Sequence, residues 1–128
     1  MKSNTVSIHS LIGYKTKFWG NIEANDFLRI DGFFSGKILS NGKVFVGKNG
    51  IAKKCIIIAK YVIIGGKIEG DIYSYDRVEI LKSAEVYGNI YSNSINIEDN
   101  ISFKGECHIL PKNEIEEILE KLKENEKN

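Results

Sequence analysis

A short pattern recurs six times along this chain of 128 residues and leaves few folds open to it. Each unit has a corner residue, glycine in five of the six, and an apolar residue or cysteine two positions later. The units are Gly20-Asn21-Ile22, Gly36-Lys37-Ile38, Lys54-Cys55-Ile56, Gly70-Asp71-Ile72, Gly88-Asn89-Ile90 and Gly105-Glu106-Cys107. They lie 16, 18, 16, 18 and 17 residues apart, an alternating spacing that is typical of stacked structural repeats.

The residues inside each unit favour β-strands over helices. Ile occurs 21 times and Ala only four times, and the apolar residues alternate by twos. The first inward set contains Ile22, Ile38, Ile56, Ile72, Ile90 and Cys107. The second contains Leu28 and Ile30, Val44 and Val46, Val62 and Ile64, Val78 and Ile80, then Ile95 and Ile97 after a one-residue slip. The third contains Phe18, Phe34, Ala52, Ile68, Val86 and Phe103. Three strands per unit predict an all-β, single-domain triangular solenoid of about six coils, stacked about 4.8 Å apart.

Turn residues separate the predicted strands. The pairs Asp31-Gly32, Asn41-Gly42, Asn49-Gly50 and Gly65-Gly66 fall at corners, where we expect positive φ angles. The only proline, Pro111, follows the last unit, which fits strands that are hydrogen-bonded on both sides. We therefore divide the chain into an N-terminal segment (1–11), a β-solenoid (12–110) and a C-terminal tail (111–128).

Three segments carry a resemblance to a known family. They are Leu28-Arg29-Ile30-Asp31-Gly32, residues 62–72, and Phe103-Lys104-Gly105-Glu106-Cys107. From Ile12 to Ile109 the chain resembles the bactofilins, bacterial cytoskeletal β-helix proteins. The resemblance implies a right-handed β-helix that polymerises end to end, without nucleotide, into non-polar filaments. It also implies attachment to the inner face of the cytoplasmic membrane, and scaffolding of peptidoglycan-remodelling and other morphogenesis proteins that set cell shape.

The two ends of the predicted solenoid are candidate polymerisation surfaces. An end coil has strand edges and an apolar cross-section without a neighbour, so a solenoid must cap its ends or polymerise through them. Phe18 and Phe103 lie in the inward set of the first and last coils. The family resemblance implies that a phenylalanine at the position of Phe103 matters for polymerisation.

An outward stripe of apolar residues has two interpretations. Leu39, Ile57, Tyr73 and Tyr91 occupy equivalent outward positions in four consecutive coils. One interpretation is that they stabilise the sheet by contacts between coils. The other is a docking strip for a partner or for lateral bundling of filaments.

A basic segment near the N-terminus, residues 2–19, contains the only tryptophan. Lys2, Lys15, Lys17 and Trp19 precede the first acidic residue, Glu23. We expect a cytoplasmic protein whose polymer associates, in a salt-sensitive way, with anionic lipid. The polar start Met1-Lys2-Ser3-Asn4 departs from the apolar targeting stretch of many bactofilins.

The tail predicts an amphipathic helix. Ile115, Ile118, Leu119 and Leu122 are spaced 0, 3, 4 and 7, and Asn113 is the predicted N-cap. The helix either folds back over the last coil or forms a tail that binds a partner or regulates the polymer. A helix this short is unstable alone in water.

Other function classes find little support in the sequence. A monomeric β-helix binding module, capped by residues 1–11 and 111–128, is the main alternative to a polymer. Residues 12–17 and 46–51 faintly resemble hexapeptide acyltransferases, but the only histidines, His9 and His108, lie at opposite ends. Cys55 and Cys107 lack metal-ligand spacing and are read as reduced thiols. Because the 18 basic and 17 acidic residues nearly balance, we expect no binding of nucleic acid. The sequence has no grouping of acid–base and nucleophilic residues, so we also expect no catalysis, cofactor or metal.

Overall fold

The computed structural model describes residues 10–127, which form eleven parallel strands and one helix. The strands are β1 (Ser10–Ile12), β2 (Lys17–Ala24), β3 (Phe27–Ile30), β4 (Phe33–Ser40), β5 (Lys43–Val46), β6 (Ile51–Ile64), β7 (Lys67–Ile80), β8 (Glu85–Tyr87), β9 (Ile90–Ile97), β10 (Ser102–Lys104) and β11 (Cys107–Ile109). The helix is α1 (Lys112–Lys127). The prediction of a β-solenoid of about six coils followed by a short helix is confirmed.

Each strand pairs with its equivalent in the next coil, which produces three faces. The first face carries the residues just before each corner glycine, and the second face carries those just after it. The third face contains β1, β3 and β5 with the final parts of β6, β7 and β9. The long strands β6 and β7 run through all three faces, so these coils tie the faces together.

The predicted inward residues form one continuous core. Fully buried members include Leu28, Ile30, Phe34, Ile38, Val44, Val46, Val62, Ile64, Ile68, Ile72, Val78, Ile80, Val86 and Ile90. Burying each such side chain stabilises the fold by about 1.5–3 kcal/mol. Burial falls in the terminal coils, where Ile22, Ile95 and Phe103 are partly exposed.

The third coil departs from the prediction by one residue. Cys55, not Lys54, lies beside Gly36 of the preceding coil. Lys54 is an extra residue in β6, a β-bulge with a φ of 48°. One inserted residue reverses the inward and outward alternation. The prediction that Ile56 points inward and Ile57 outward is therefore wrong, because Ile57 is fully buried and Ile56 is 37% exposed.

Close approach of neighbouring coils explains the recurring corner glycine. A Cβ atom built on Gly88 would overlap the carbonyl oxygen of Gly70 in the preceding coil, and the φ of Gly88 is 148°. The other corner glycines differ, because Gly32 and its equivalents do not have the positive φ angles that we predicted. A Cβ on Gly32 would instead overlap the backbone carbonyls of Gly13 and Thr16.

A row of buried serines lies at the corner between the second and third faces. Ser40, Ser74 and Ser92 are buried. The Ser74 hydroxyl donates to the Lys60 carbonyl at 2.6 Å and accepts from the Arg77 backbone N–H at 3.2 Å. These bonds pair backbone groups that would otherwise be buried without partners. The fifth coil has one residue fewer at this corner, which confirms the predicted slip before Ile95.

Candidate assembly surfaces

The C-terminal end of the solenoid is an apolar surface on which none of the described residues stacks another coil. It consists of inward side chains of the last coil: Ile95, Ile97, Ile101, Phe103, Cys107 and Ile109. Ile97 and Ile109 are 51% and 65% exposed, whereas their neighbours one coil below, Ile80 and Ser92, are buried. At this end the core side chains are therefore covered by a coil on one side only and are exposed on the other.

Phe103 lies within this end surface. β10 pairs with β8 and places Phe103 beside Val86, which is fully buried. Phe103 packs against the core below and remains only half-buried, since no further coil covers it among residues 10–127. This position fits a side chain that completes its burial in a second molecule. Its role in polymerisation stays a prediction.

The N-terminal end also presents core side chains. Phe18 is 36% exposed, and its ring stacks on that of Phe34 with centroids 5.9 Å apart. Ile22 and Ala24 of the same coil are partly buried against the core. Residues 1–9, which include the predicted Lys2 and the candidate His9, lie outside the described residues.

Helix α1 packs against the outward stripe. Leu39, Tyr73 and Tyr91 belong to the stripe as predicted, but the bulge at Lys54 replaces Ile57 with Ile58. Ile58 is 1% exposed because Ile115 and Leu119 of α1 lie over it. The stripe is thus a helix-binding surface that is occupied within the same chain.

Polar contacts hold the start of the helix. Lys112 Nζ lies 2.8 Å from Asp76 Oδ1, and this partner raises the pKa of Lys112. Asn93 donates its side-chain N–H to the Leu110 carbonyl at 3.1 Å. Burial raises the pKa of Tyr75, and the nearby carboxylates of Glu116 and Glu120 raise it further. These contacts place α1 in one position along the second face.

The tail predictions need two corrections. α1 begins at Lys112, so Asn113 lies inside the first turn and is not the N-cap. The Pro111 carbonyl instead accepts from the backbone N–H groups of Glu114 and Ile115. The helix folds back as one interpretation proposed, but it lies along the side of the solenoid and leaves the last coil open. Ile118 and Leu122 are partly buried, and Leu122 packs against the buried cluster that α1 forms with Ile58.

Aromatic rings continue the stripe to the end of the solenoid. The rings of Tyr73 and Tyr91 stack with centroids 4.9 Å apart, and His108 stacks on Tyr91 at 4.7 Å. Burial is the main cause that raises the pKa of Tyr73, and the negative charge of Asp71 raises it further. His108 Nε2 lies 3.0 Å from Glu106 Oε1 at the last coil. His108 therefore belongs to a stack of rings that includes Tyr91 and Tyr73.

The basic segment is exposed near the N-terminal end. Lys15, Lys17 and Trp19 are exposed, Trp19 to 64%. The Trp19 ring tilts against Phe33 at a centroid distance of 5.5 Å. Two lysines and an aromatic side chain thus share one exposed region, next to the corner where the first face begins.

The two cysteines lie in different surroundings, one buried in the core and one exposed at the end of the solenoid. Burial raises the pKa of the Cys55 thiol to about 12, which makes it inert, and the Cys107 thiol lies exposed in the end surface. Residues 10–127 contain no group of His, Cys, Asp and Glu side chains arranged to hold a metal ion. No helix in this range is long and apolar enough to cross a membrane.

Comparison with known proteins identifies the family. Residues 10–108 match the bactofilins, described as polymer-forming cytoskeletal proteins. Bactofilin BacO of Myxococcus xanthus (strain DK1622) is 31% identical over 104 residues, which are 81% of this chain and 82% of BacO. A Thermus thermophilus bactofilin reconstructed by cryo-EM as double helical filaments matches with a TM-score of 0.67 at 24% identity, over 77% of this chain and 96% of its own. The chain belongs to the bactofilin family of polymer-forming cytoskeletal proteins.

Proposed function

We propose that this protein polymerises end to end, without nucleotide, into filaments whose long axis is the solenoid axis. The observation that carries the proposal is the apolar surface at the C-terminal end, which includes the half-buried Phe103 and has Ile97 and Ile109 more than half exposed. A second end placed on this surface buries these side chains and pairs the strand edges of the last coil.

Apolar burial supplies the driving force for this contact. Each large side chain that becomes buried contributes about 1.5–3 kcal/mol, so several at one end make a stable joint. Nothing in such a joint requires hydrolysis. The filament is therefore expected to form from purified protein in the absence of ATP or GTP.

The axial repeat of the filament tests the proposal. Six coils stacked about 4.8 Å apart give about 29 Å per subunit along the filament axis. We expect cryo-EM of the purified protein to give this repeat, or twice it if neighbouring subunits alternate in direction. A strong 4.8 Å layer line should lie along the filament axis. A 4.8 Å spacing perpendicular to that axis would mean that the subunits join through their sides.

Cys107 reports on the polarity of the filament. In non-polar filaments two C-terminal ends meet, so the exposed Cys107 thiols of two subunits lie at the same joint. Mild oxidation should then produce a covalent dimer that the Cys107→Ser variant cannot form. In a head-to-tail filament Cys107 faces an N-terminal end, where the described residues offer no thiol, and only monomers should result.

We also propose that the polymer binds anionic membrane through its basic segment. Lys15, Lys17 and Trp19 are exposed together, and each lysine near an anionic surface contributes about 1 kcal/mol. A filament repeats this contact many times, so polymer should bind more tightly than monomer. Phosphatidylserine liposomes should retain wild-type filaments at low salt. A Lys2/Lys15/Lys17 charge-removed variant should be retained less, and equal retention would exclude this electrostatic mechanism.

As a scaffold, the filament is proposed to recruit peptidoglycan-remodelling or other morphogenesis proteins and so to affect cell shape. Because α1 occupies the stripe, the outer side of the helix is the part of the tail that a partner can reach. Filaments of the full chain and of a chain ending at Leu110 should retain different partners in pull-down experiments. Identical sets would exclude a recruiting role for the tail.

A further inference from the structure

The corners that join the third face to the first face differ in length. Four residues form the corners 13–16, 47–50 and 81–84, whereas two residues form the corners 31–32 and 65–66 that alternate with them. The two additional residues match the difference between the 16- and 18-residue spacings of the repeat. A longer corner projects further from the solenoid, so each two-residue corner is the floor of a recess between two projecting corners.

The recess over residues 65–66 is open and is lined by cations. It has a volume of about 790 Å³. Lys48 and Lys82 line it from the two projecting corners. Lys67 lines it from the first face, and Arg29 lines it from the third face. Four positive charges from four different strands and corners thus surround one floor.

Most of the positive charge in this recess is unpaired. Arg29 Nε lies 2.7 Å from Asp31 Oδ2, so this pair is neutral. The three lysines form no ion pair with the carboxylates that the structure describes. Glu85 is the acidic residue of the lining, and its carboxylate accepts a hydrogen bond from the Tyr87 hydroxyl at 3.1 Å. Three lysines and one carboxylate leave a net charge of +2.

The fold does not require a glycine at position 65. A Cβ on Gly66 would overlap the carbonyl oxygens of Gly47 and Gly50, so packing excludes a side chain there. A Cβ on Gly65 would instead make ordinary contacts, with the Val46 carbonyl oxygen nearest at 3.4 Å, and the φ of Gly65 is not positive. The missing side chain therefore serves the recess, because it leaves the floor open.

The preceding recess shows what the chain itself can place at such a floor. There Asp31 occupies the position equivalent to Gly65. A Cβ built on Gly47 would overlap the Asp31 carboxylate, so this carboxylate lies against the projecting corner 47–50. Its cationic partner is Arg29. One recess thus contains its own anion, whereas the recess over residue 65 has lysines and no anion on its floor.

We propose that the recess over Gly65 and Gly66 binds a phosphate group between Lys48 and Lys82, with Lys67 at its edge. The ammonium of lysine is a compact charge with three donors and is a common ligand of phosphate. The two projecting corners lie two coils apart, about 10 Å, which leaves room for a phosphate between their lysines. The phosphate can belong to a soluble ester or to a lipid headgroup, since the recess recognises the same oxygens in both.

Calorimetric titration with inorganic pyrophosphate tests the site. We expect saturable binding of one pyrophosphate per chain. Gly65→Asp places a carboxylate on the floor, as Asp31 does in the preceding recess, and should raise the Kd at least about tenfold. Gly65→Ala, which adds a neutral side chain at the same position, should change the Kd less than about twofold. Equal affinity of wild type and Gly65→Asp, or the absence of saturable binding, overturns the proposal.

Charge removal separates the recess from general surface charge. Lys48→Ala combined with Lys82→Ala should raise the Kd at least about tenfold. Lys104→Ala combined with Lys121→Ala removes the same charge from exposed positions outside the recess and should bind as wild type. Equal weakening in both double variants contradicts the site. Phe103→Arg should also bind as wild type, because the recess lies away from both ends, so a failure to polymerise leaves this test intact.

Vesicles distinguish a lipid headgroup from a soluble phosphate. The Lys2/Lys15/Lys17 charge-removed variant should bind pyrophosphate as wild type, and it separates the recess from the proposed membrane contact. If phosphatidate vesicles retain this variant, phosphatidylcholine vesicles do not, and Gly65→Asp abolishes the retention, the phosphate belongs to a lipid. No retention, or retention that Gly65→Asp leaves unchanged, assigns the recess to a soluble phosphate.

Discussion

At the scale of single residues, the stacking of the coils depends on corner positions that have no side chain. The corner glycines allow the backbone of one coil to approach that of the next, and the third coil reaches the same result differently. There Lys54 has the positive φ angle, and Cys55 occupies the corner position that is glycine in the other coils. Cys55 pairs with Gly70 of the next coil. Two residues of a bulge replace one glycine.

A methyl group at the corner should therefore destabilise the protein. Gly88→Ala adds a Cβ that overlaps the Gly70 carbonyl at a φ of 148° and should lower the free energy of unfolding by about 1–3 kcal/mol or more. Gly13→Ala is the control, because its nearest neighbour would be Thr16 Oγ1 at 3.8 Å and its φ is not positive. Urea unfolding of both variants, with Phe103→Arg present to prevent assembly, makes the comparison. Equal losses would contradict the close-approach account.

The buried thiol predicts a loss of stability in alkali. Burial raises the pKa of Cys55 from 9.0 to about 12, so the unfolded chain loses this proton first as the pH rises. Between about pH 9 and about pH 12 the folded state holds one more proton, and this group alone lowers the free energy of unfolding by up to about 1.4 kcal/mol per pH unit. Cys55→Ala should have a shallower decline over this range in urea unfolding. Parallel curves would mean that Cys55 is not buried in the folded state.

At the scale of elements, α1 is the part whose place depends most on distant contacts. Its apolar spacing predicts an amphipathic helix, but nothing in residues 111–128 specifies the surface that receives it. That surface is assembled from three coils, with Ile58, Tyr73 and Tyr91 in adjacent positions. The sequence predicts the helix from local pattern, whereas its position requires the register of the whole solenoid.

Removing either buried anchor should release the helix. Ile115→Ala or Leu119→Ala removes apolar contacts over Ile58, and a helix this short is unstable without packing. We expect loss of the helical circular dichroism signal and rapid proteolysis after Leu110, with the β signal retained. Glu117→Ala changes an exposed position and should behave as wild type. Unchanged protection in the Ile115 and Leu119 variants would contradict the packing of α1 on the stripe.

The register error in the third coil has a local cause. Ile56, Ile57 and Ile58 are consecutive, so alternation does not indicate which of them points inward. Each single shift exchanges the two sides of a strand, and the glycine that marks the register elsewhere is absent. The fold and the inward sets outside the third coil follow from the sequence because they repeat. The bulge does not repeat, and only its contacts with both neighbouring coils reveal it.

At the scale of the whole molecule, the protein is a short solenoid with covered and uncovered surfaces. One side is covered by its own helix, and the C-terminal end exposes core side chains that have neighbours in every other coil. Each added coil covers the inward apolar side chains of the previous coil, so the same contact can form again at the end of the sixth coil. In the proposed end-to-end filament, stacking between molecules continues the stacking of coils within each of them.

The most direct test of this account compares filament assembly of the Phe103→Arg variant with that of the Lys104→Glu variant. Both changes lie in β10, but Phe103 faces the open end and Lys104 faces solvent. A buried, unpartnered charge at the joint would cost several kcal/mol. Negative-stain electron microscopy should show filaments for wild type and Lys104→Glu, and dispersed molecules with intact β circular dichroism for Phe103→Arg. Normal filaments of Phe103→Arg would contradict polymerisation through the solenoid ends.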